Sequence, residues 1–251
     1  MLRLMLAALV ACFMVLTGIT GARAATFQNY TCVGGTATSP QVIPPGDYGA
    51  LTIRGVCIVE GVVTAHGNAT LSSNAALYVF DQGAILNVLG SMVVGPNAVL
   101  VLGCLNDFGC PTSNTVQGNL VAYNALAVLL HSDVVGGGIY FQGGGGGVNC
   151  NSNPLLMGAP SYSTIENSTV GGGVNVLAMQ SCWFGLFRNQ VKLNVTVDYN
   201  TFADPDATEI AGNTVGGNLS CFGNNPAAQF GDGPPVPNTV AGNKYGECAT
   251  L

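Results

Sequence analysis

Charged side chains are scarce in this sequence, at 7% of 251 residues. Once an N-terminal leader is set aside, only Arg54, Arg188, Lys192 and Lys244 stand against twelve acids, a net charge of −8. Four cations make no basic patch to neutralise phosphates, which excludes nucleic acid as a partner. Histidine is limited to His66 and His131, each isolated and read as structural, and no CxxC pair occurs, so nothing has zinc-ligand spacing. Lys and Glu, good surface helix formers, are nearly absent, and Gly or Pro interrupts almost every window; helical repeats are excluded. No Ser-His-Asp set, nucleotide loop or cofactor motif is present. The glycine run 143–147 is followed by neither Lys-Ser/Thr nor a helix, so it is no phosphate loop. Beyond the leader, every long apolar stretch is broken by Asn, Gly or Pro, as at Asn87, Gly90, Pro96 and Asn97. No second run reaches bilayer-spanning length, so no membrane contact is expected after the leader is removed.

The leader has an early Arg3, an apolar stretch over 4–16 and the small-x-small site Ala22-Arg23-Ala24. This is the pattern of a cleavable secretory signal over 1–24, which implies a secreted, extracellular protein. The alternative is a lipoprotein box, Leu9-Val10-Ala11-Cys12, with lipid anchoring through Cys12; it lies close to the charge, and the apolar run continues past it. Eight cysteines remain in the mature chain: Cys32, Cys57, Cys104, Cys110, Cys150, Cys182, Cys221 and Cys248. An even count in a secreted chain reads as four disulfides. Neighbour pairing (32–57, 104–110, 150–182, 221–248) suits the spacing best, since three of those gaps are near one repeat.

What is abundant is a repeat. Asn213-Thr214-Val215-Gly216-Gly217-Asn218 has the form Asn-x-Val-x-x-Asn, which returns from Asn114, from Asn189 and from Asn238, the last three copies starting 24 and 25 residues apart. A second alignment sets Gly67 on Gly90, Asn74 on Asn97 and Leu77 on Leu100, 23 residues apart. A period in the twenties signals a solenoid. Short β-prone runs such as Leu51-Thr52-Ile53 and Val62-Val63-Thr64, bounded by Gly, Asn or Ser, fit three short strands and three turns per coil. The fold expected is all-β: a single-stranded right-handed parallel β-helix of about eight coils over 46–251, preceded by a lead-in or cap over 25–45. Equivalent strands would then stack about 4.8 Å apart. Val191, Val215 and Val240 would form one apolar file, and Asn114, Asn189, Asn213 and Asn238 a side-chain amide ladder. Extra length must leave as loops: a protruding loop over 142–164 tethered by Cys150, a small bulge over 104–110, and a third loop over 222–237. Cys248 would pin the open C-terminal edge.

The ending Asn213-x-Val215-x-Gly217-Asn218-x-x-Cys221, then Asn224-Asn225-Pro226, Asn238-x-Val240-x-Gly242 and Gly246-x-Cys248, resembles the C-terminal region of uncharacterised secreted bacterial right-handed parallel β-helix proteins. The likeness runs more weakly back to about Gly46. It implies the fold and an extracellular address; it brings no catalytic residue with it.

The sharpest acidic cluster lies over 198–209. Asp204-x-Asp206-x-x-Glu209 offers three hard oxygen ligands, the chemistry of calcium, without the spacing of an EF-hand loop. Against this stands a plain solvated turn with no cofactor. Asp198, Asp204 and Asp206 are the residues a polysaccharide hydrolase would use, with paired carboxyls as acid and base. The Asn-Thr-Asp, Asp-Asp and Gly-His-Gly signatures of β-helical polygalacturonases are absent, however, and four cations suit a polyuronate lyase poorly. Tyr162 and Trp183, the only tryptophan, would stack on sugar rings if exposed, or pack at a loop base if not. The leading expectation is a non-enzymatic, disulfide-stapled structural or adhesive module, with cell-surface or extracellular polysaccharide or protein as partner. The alternative is a carbohydrate-active or carbohydrate-binding β-helix working on the Tyr162, Trp183 and Arg188 side.

Overall fold

The computed structural model describes residues 26–80, 83–104 and 113–251; the leader, Cys12 and Cys110 lie outside the described residues. Among those described, the chain is all-β apart from two short 3-10 turns, Pro154–Leu156 and Glu247–Thr250. One coil shows the plan: Leu51–Ile53, Val56–Val59 and Val62–Ala65 are strands of three or four residues, each ended by a polar or glycine corner. Successive strands go in rotation to three sheets of ten, eight and nine strands, and near the C-terminus Gln180–Ser181 and Thr201–Phe202 pair as a small fourth sheet. All pairings between named strands are parallel, each to the equivalent strand one coil away, as in a parallel β-helix.

Alternation places every second side chain inside. In the first sheet Leu51, Ala69, Met92, Leu120, Ile139, Val174, Val195 and Leu219 follow one another in register, all buried. The third sheet carries the valine file: Val116, Val135, Val170, Val191, Val215 and Val240 are consecutive Cα partners. The core is therefore a column of aliphatic side chains held against their own kind.

The amide ladder stands at the corner before the third sheet, and it includes residues the motif does not reveal. Asn213 Nδ2 donates to Asn238 Oδ1 at 2.8 Å, and Asn189 Nδ2 to Asn213 Oδ1 at 3.0 Å. Ser168 N–H donates to Asn189 Oδ1, Asp133 N–H to Ser168 Oγ, and Asn114 Nδ2 to Asp133 Oδ1 at 2.9 Å. All six residues are buried. A buried polar group left unpaired costs about 1–3 kcal/mol, so a ladder in which each rung satisfies the next fixes register strongly. A second ladder, Asn200 to Asn224 to Glu247, closes another corner, with amide donors 2.8 Å from the next oxygen. The final Asn of the repeat forms an exposed third row, in which Asn218 N–H donates to Asn194 Oδ1 and Asn243 N–H to Asn218 Oδ1.

Two expectations shift. The lead-in contributes strands of its own, since Tyr30–Cys32 pairs with Leu51–Ile53 and Gln41–Ile43 with the strand after it. The five glycines do not stand outside the stack: Gly145 N–H donates to Ala125 O and Gln180 N–H to Gly144 O, which threads the run between two coils. A Cβ on Gly144 would collide with the Ala125 carbonyl, so the squeeze admits only glycine there. The chain leaves the coil afterwards and lies on the second sheet's outer face, where Leu155, Leu156 and Ala159 pack on Tyr78, Val99, Val101 and Leu129.

Three neighbour pairings are present: Cys32–Cys57, Cys150–Cys182 and Cys221–Cys248. The expected 104–110 bridge falls on residue 110, outside the described residues. The first disulfide clips the N-terminal coils, the second tethers the covering segment, and the third holds the last coil beside buried Leu251. Three disulfides suit an oxidising, extracellular environment. Among the described residues no helix is long and apolar enough to cross a membrane.

Candidate functional site

The side chains singled out from sequence gather mainly on the second sheet's outer face near its C-terminal end. Strand Trp183–Phe187 alternates Trp183, Gly185 and Phe187 outward with Phe184 and Leu186 buried inward. Gly185 leaves room for its neighbours: a Cβ there would strike both the Trp183 and the Phe187 rings. Those rings stack at 5.8 Å between centroids, and Tyr162, one coil earlier, meets Trp183 edge-on at 6.0 Å. Trp183 is half-buried and packs against the core, and its Nε1–H donates to Glu209 Oε1 at 2.7 Å. It is thus both a packing residue and the wall of a polar patch.

Four carboxylates lie beside it. Asp204 and Asp206 occupy the turn before strand Glu209–Ala211, Glu209 opens that strand, and Asp232 arrives from the following loop. Asp206 sits between Asp204 and Asp232 and shares hydrogen bonds with both, which holds its carboxyl below the ordinary range and pushes the other two up. Burial, helped by the three neighbouring carboxylates, raises Glu209, with the Trp183 N–H opposing. Asp232 was not singled out from sequence; it lies 23 residues past Glu209, beside Gly231, with no local motif. Among the described residues no group of three His, Cys, Asp or Glu side chains is placed to hold a metal ion, and Asp204, Asp206 and Glu209 form no such group.

Asp198 does not join this patch. It ends strand Val195–Asp198 of the first sheet, accepts the Phe222 N–H at 2.9 Å, and feels Glu247 rather than Asp206. The acids near Trp183 lie close enough to one another for each to shift the titration of its neighbours. A hydrolase needs an acid and a base facing each other across a bound sugar.

One coil back, Glu166 is enclosed by Thr164 Oγ1 at 2.7 Å, Arg188 Nη2 at 3.2 Å and His131 Nε2 at 3.6 Å. Burial alone would raise Glu166; the His131 imidazole at 3.6 Å, the Thr164 hydroxyl and the nearby Arg188 outweigh it and hold the carboxyl low. Burial likewise disfavours the His131 imidazolium, but Glu166 overcomes it and lifts that pKa. Arg188 also donates to Asn167 Oδ1 at 2.8 Å and lies over the Phe187 ring. Lys192, four residues on, stands past the third-sheet strand Gln190–Val191, on the opposite side of that strand from Arg188. Asp133 is the most perturbed group: burial pushes it up to about 7, against hydrogen bonds from Asn114 and the His131 charge and N–H. His66 stacks on Phe27 and bonds Asp47, a structural role.

Comparison with protein-family models, curated proteins and solved structures finds no match.

Proposed function

We propose that this protein is a secreted right-handed parallel β-helix of about eight coils, a structural or adhesive module of the extracellular space or cell surface with no reaction of its own. The observation that carries this reading is how four of the enclosed acids are used, while Asp204 and Asp206, also half-buried, bond to each other and to Asp232. Asp133 is a ladder rung, Glu166 is clasped by Thr164, Arg188 and His131, Glu209 by Trp183, and Glu247 by Asn224 and the Ala228 N–H. A catalytic acid or base must have its proton free to reach substrate, and these carboxylates are spent on the fold. The likeness of its C-terminal repeats to secreted bacterial β-helix proteins supports the address, as do the disulfides.

The test is to incubate the purified protein with soluble polysaccharides and with whole bacterial cells, measuring both retention and release of reducing ends. Retention without release is expected. Release that disappears in Glu209→Gln would overturn the reading.

A second reading, a polysaccharide hydrolase on the Trp183 side, is favoured by one observation: four carboxylates gathered beside three aromatic rings. It requires release of reducing ends that Asp206→Asn lowers by orders of magnitude.

A further inference from the structure

The first sheet's outer face carries a different set of residues from those above. Two outward files run along its C-terminal half. One reads Val121, Tyr140, Asn175, Thr196, Ser220, Tyr245, and the other Tyr123, Gln142, Leu177, Asp198, Phe222. Tyr123, Tyr140, Phe222 and Tyr245 are each 44–49% exposed, and Tyr199 at the adjoining corner is 65% exposed. Lone exposed aromatics are ordinary, but four in two adjoining files of one sheet, with a fifth at its corner, are not.

These rings are also seated. A Cβ on Gly138 would come within 2.7 Å of Tyr140, one on Gly223 within 2.7 Å of Tyr199, and one on Gly246 within 2.7 Å of Phe222. Each ring thus rests against a glycine that leaves room for it, and Tyr245 Oη accepts from Asn243 Nδ2 at 3.0 Å. Aromatic rings held in place and half-exposed are prepaid in side-chain entropy, which is what a binding platform needs. Between them stand amides and hydroxyls: Gln142, Asn175, Thr196 and Ser220. Asp198 carries the only charge of the two files. One cleft of about 320 Å³ lies between Tyr123, Tyr140, Gln142, Asn175 and Leu177, and another of about 210 Å³ between Asn194, Thr196, Asn218, Ser220 and Tyr245.

We infer that this face binds an uncharged linear polysaccharide laid along the helix axis. Flat apolar rings match the C–H faces of sugars, and the amides and hydroxyls match their hydroxyl groups. A face with one carboxylate and no cation, on a protein of net negative charge, repels polyuronates and has no partner for sulfate or phosphate. The rings from Tyr140 to Tyr245 span four strand spacings, about 19 Å, room for several sugar units. The inference rests on the reading of the protein as a surface-binding module and gives that reading a site and a ligand class.

The test is affinity electrophoresis of the folded protein in gels containing neutral glucan, xylan or mannan, with polygalacturonate and alginate as charged counterparts. Retardation by at least one neutral glycan and by neither polyuronate is expected. Tyr140→Ser with Tyr245→Ser should weaken it about tenfold or more, since each stacking ring contributes on the order of 1 kcal/mol. Gly138→Ala, which only displaces the Tyr140 ring, should weaken it several-fold with an unchanged melting temperature. Trp183→Phe should leave it unchanged. Retention by polyuronates, loss in Trp183→Phe with the tyrosine variant unaffected, or no retention by any neutral glycan would overturn the inference. Self-association abolished by the tyrosine variant, without glycan binding, would assign the face to a second copy and overturn it too. Binding to whole cells that persists without glycan retention would fail the inference alone, whereas release of reducing ends would fail the broader reading.

Discussion

The first and second sheets are built by the same alternation, yet their outer faces have opposite fates. On the second sheet Ala76, Tyr78, Val99, Val101, Ala127 and Leu129 point outward and are buried, because the segment after the glycine run lies over them. Tyr78 Oη donates to the Leu155 carbonyl at 2.7 Å, and Cys150–Cys182 ties the segment down. On the first sheet the outward files carry threonine near the N-terminus, then Val93 and Val121, and tyrosine, amide and hydroxyl groups with Leu177 further on, and they lie half-exposed or exposed with no segment over them among the described residues. A continuous apolar outer face has to be covered, and here the longest insertion covers it; a mixed aromatic and polar face can stay in water. The comparison separates residues kept for stability from residues available for contact.

The contrast extends to charge, and there the largest effect is expected. Asp133 is buried in the ladder and its carboxyl is pushed up to about 7, whereas Asp198 lies at the bare face. The folded state holds the Asp133 proton more tightly than the unfolded chain does. Its contribution to stability is therefore fully present below the ordinary carboxylate range and is lost as pH rises to about 7. Asp133→Asn should flatten that slope, read as the difference in urea unfolding between pH 5 and pH 8, while removing the acceptor of the His131 N–H. Asp198→Asn should alter the profile far less. Next, Cys150→Ser with Cys182→Ser should cost about 3 kcal/mol and expose the second-sheet face to a hydrophobic dye. Leu156→Ala should cost about 2–3 kcal/mol with the same dye signal, since Leu156 is buried between the cover and the sheet. The smallest effect belongs to the bare face: Tyr140→Ser should change stability by no more than about 0.5 kcal/mol. A cost there comparable to that of Leu156→Ala would erase the distinction between the two faces.

Much of the fold was legible because its determinants are local and recur. The Asn-x-Val-x-x-Asn motif writes a ladder rung, a core residue and an exposed corner amide within six residues, so Val191, Val215 and Val240 could be placed in one file. The ladder was legible only where it is asparagine; Asp133 and Ser168 perform the same hydrogen bonding in different chemistry. The second ladder hid because Asn200, Asn224 and Glu247 share no surrounding motif. The site was less legible. Asp198 and Asp204 are six residues apart, but Asp198 ends a first-sheet strand and Asp204 lies in the turn beyond the next strand, while Asp232 reaches Asp206 only through a loop. The bare aromatic face could not be read at all, because outward positions of two sheets look alike until the path of an insertion decides which one is covered.

Everything rests on equivalent residues lying one strand spacing apart along a single axis. Spin labels at Thr115 and Thr239, outward members of the third sheet, are separated by five pairings through Val134, Thr169, Gln190 and Thr214. Pulsed electron–electron resonance on that pair should give a narrow distribution with backbones about 24 Å apart. A broad distribution, or a separation well beyond the reach of two labels from that value, would contradict the stack and with it both faces.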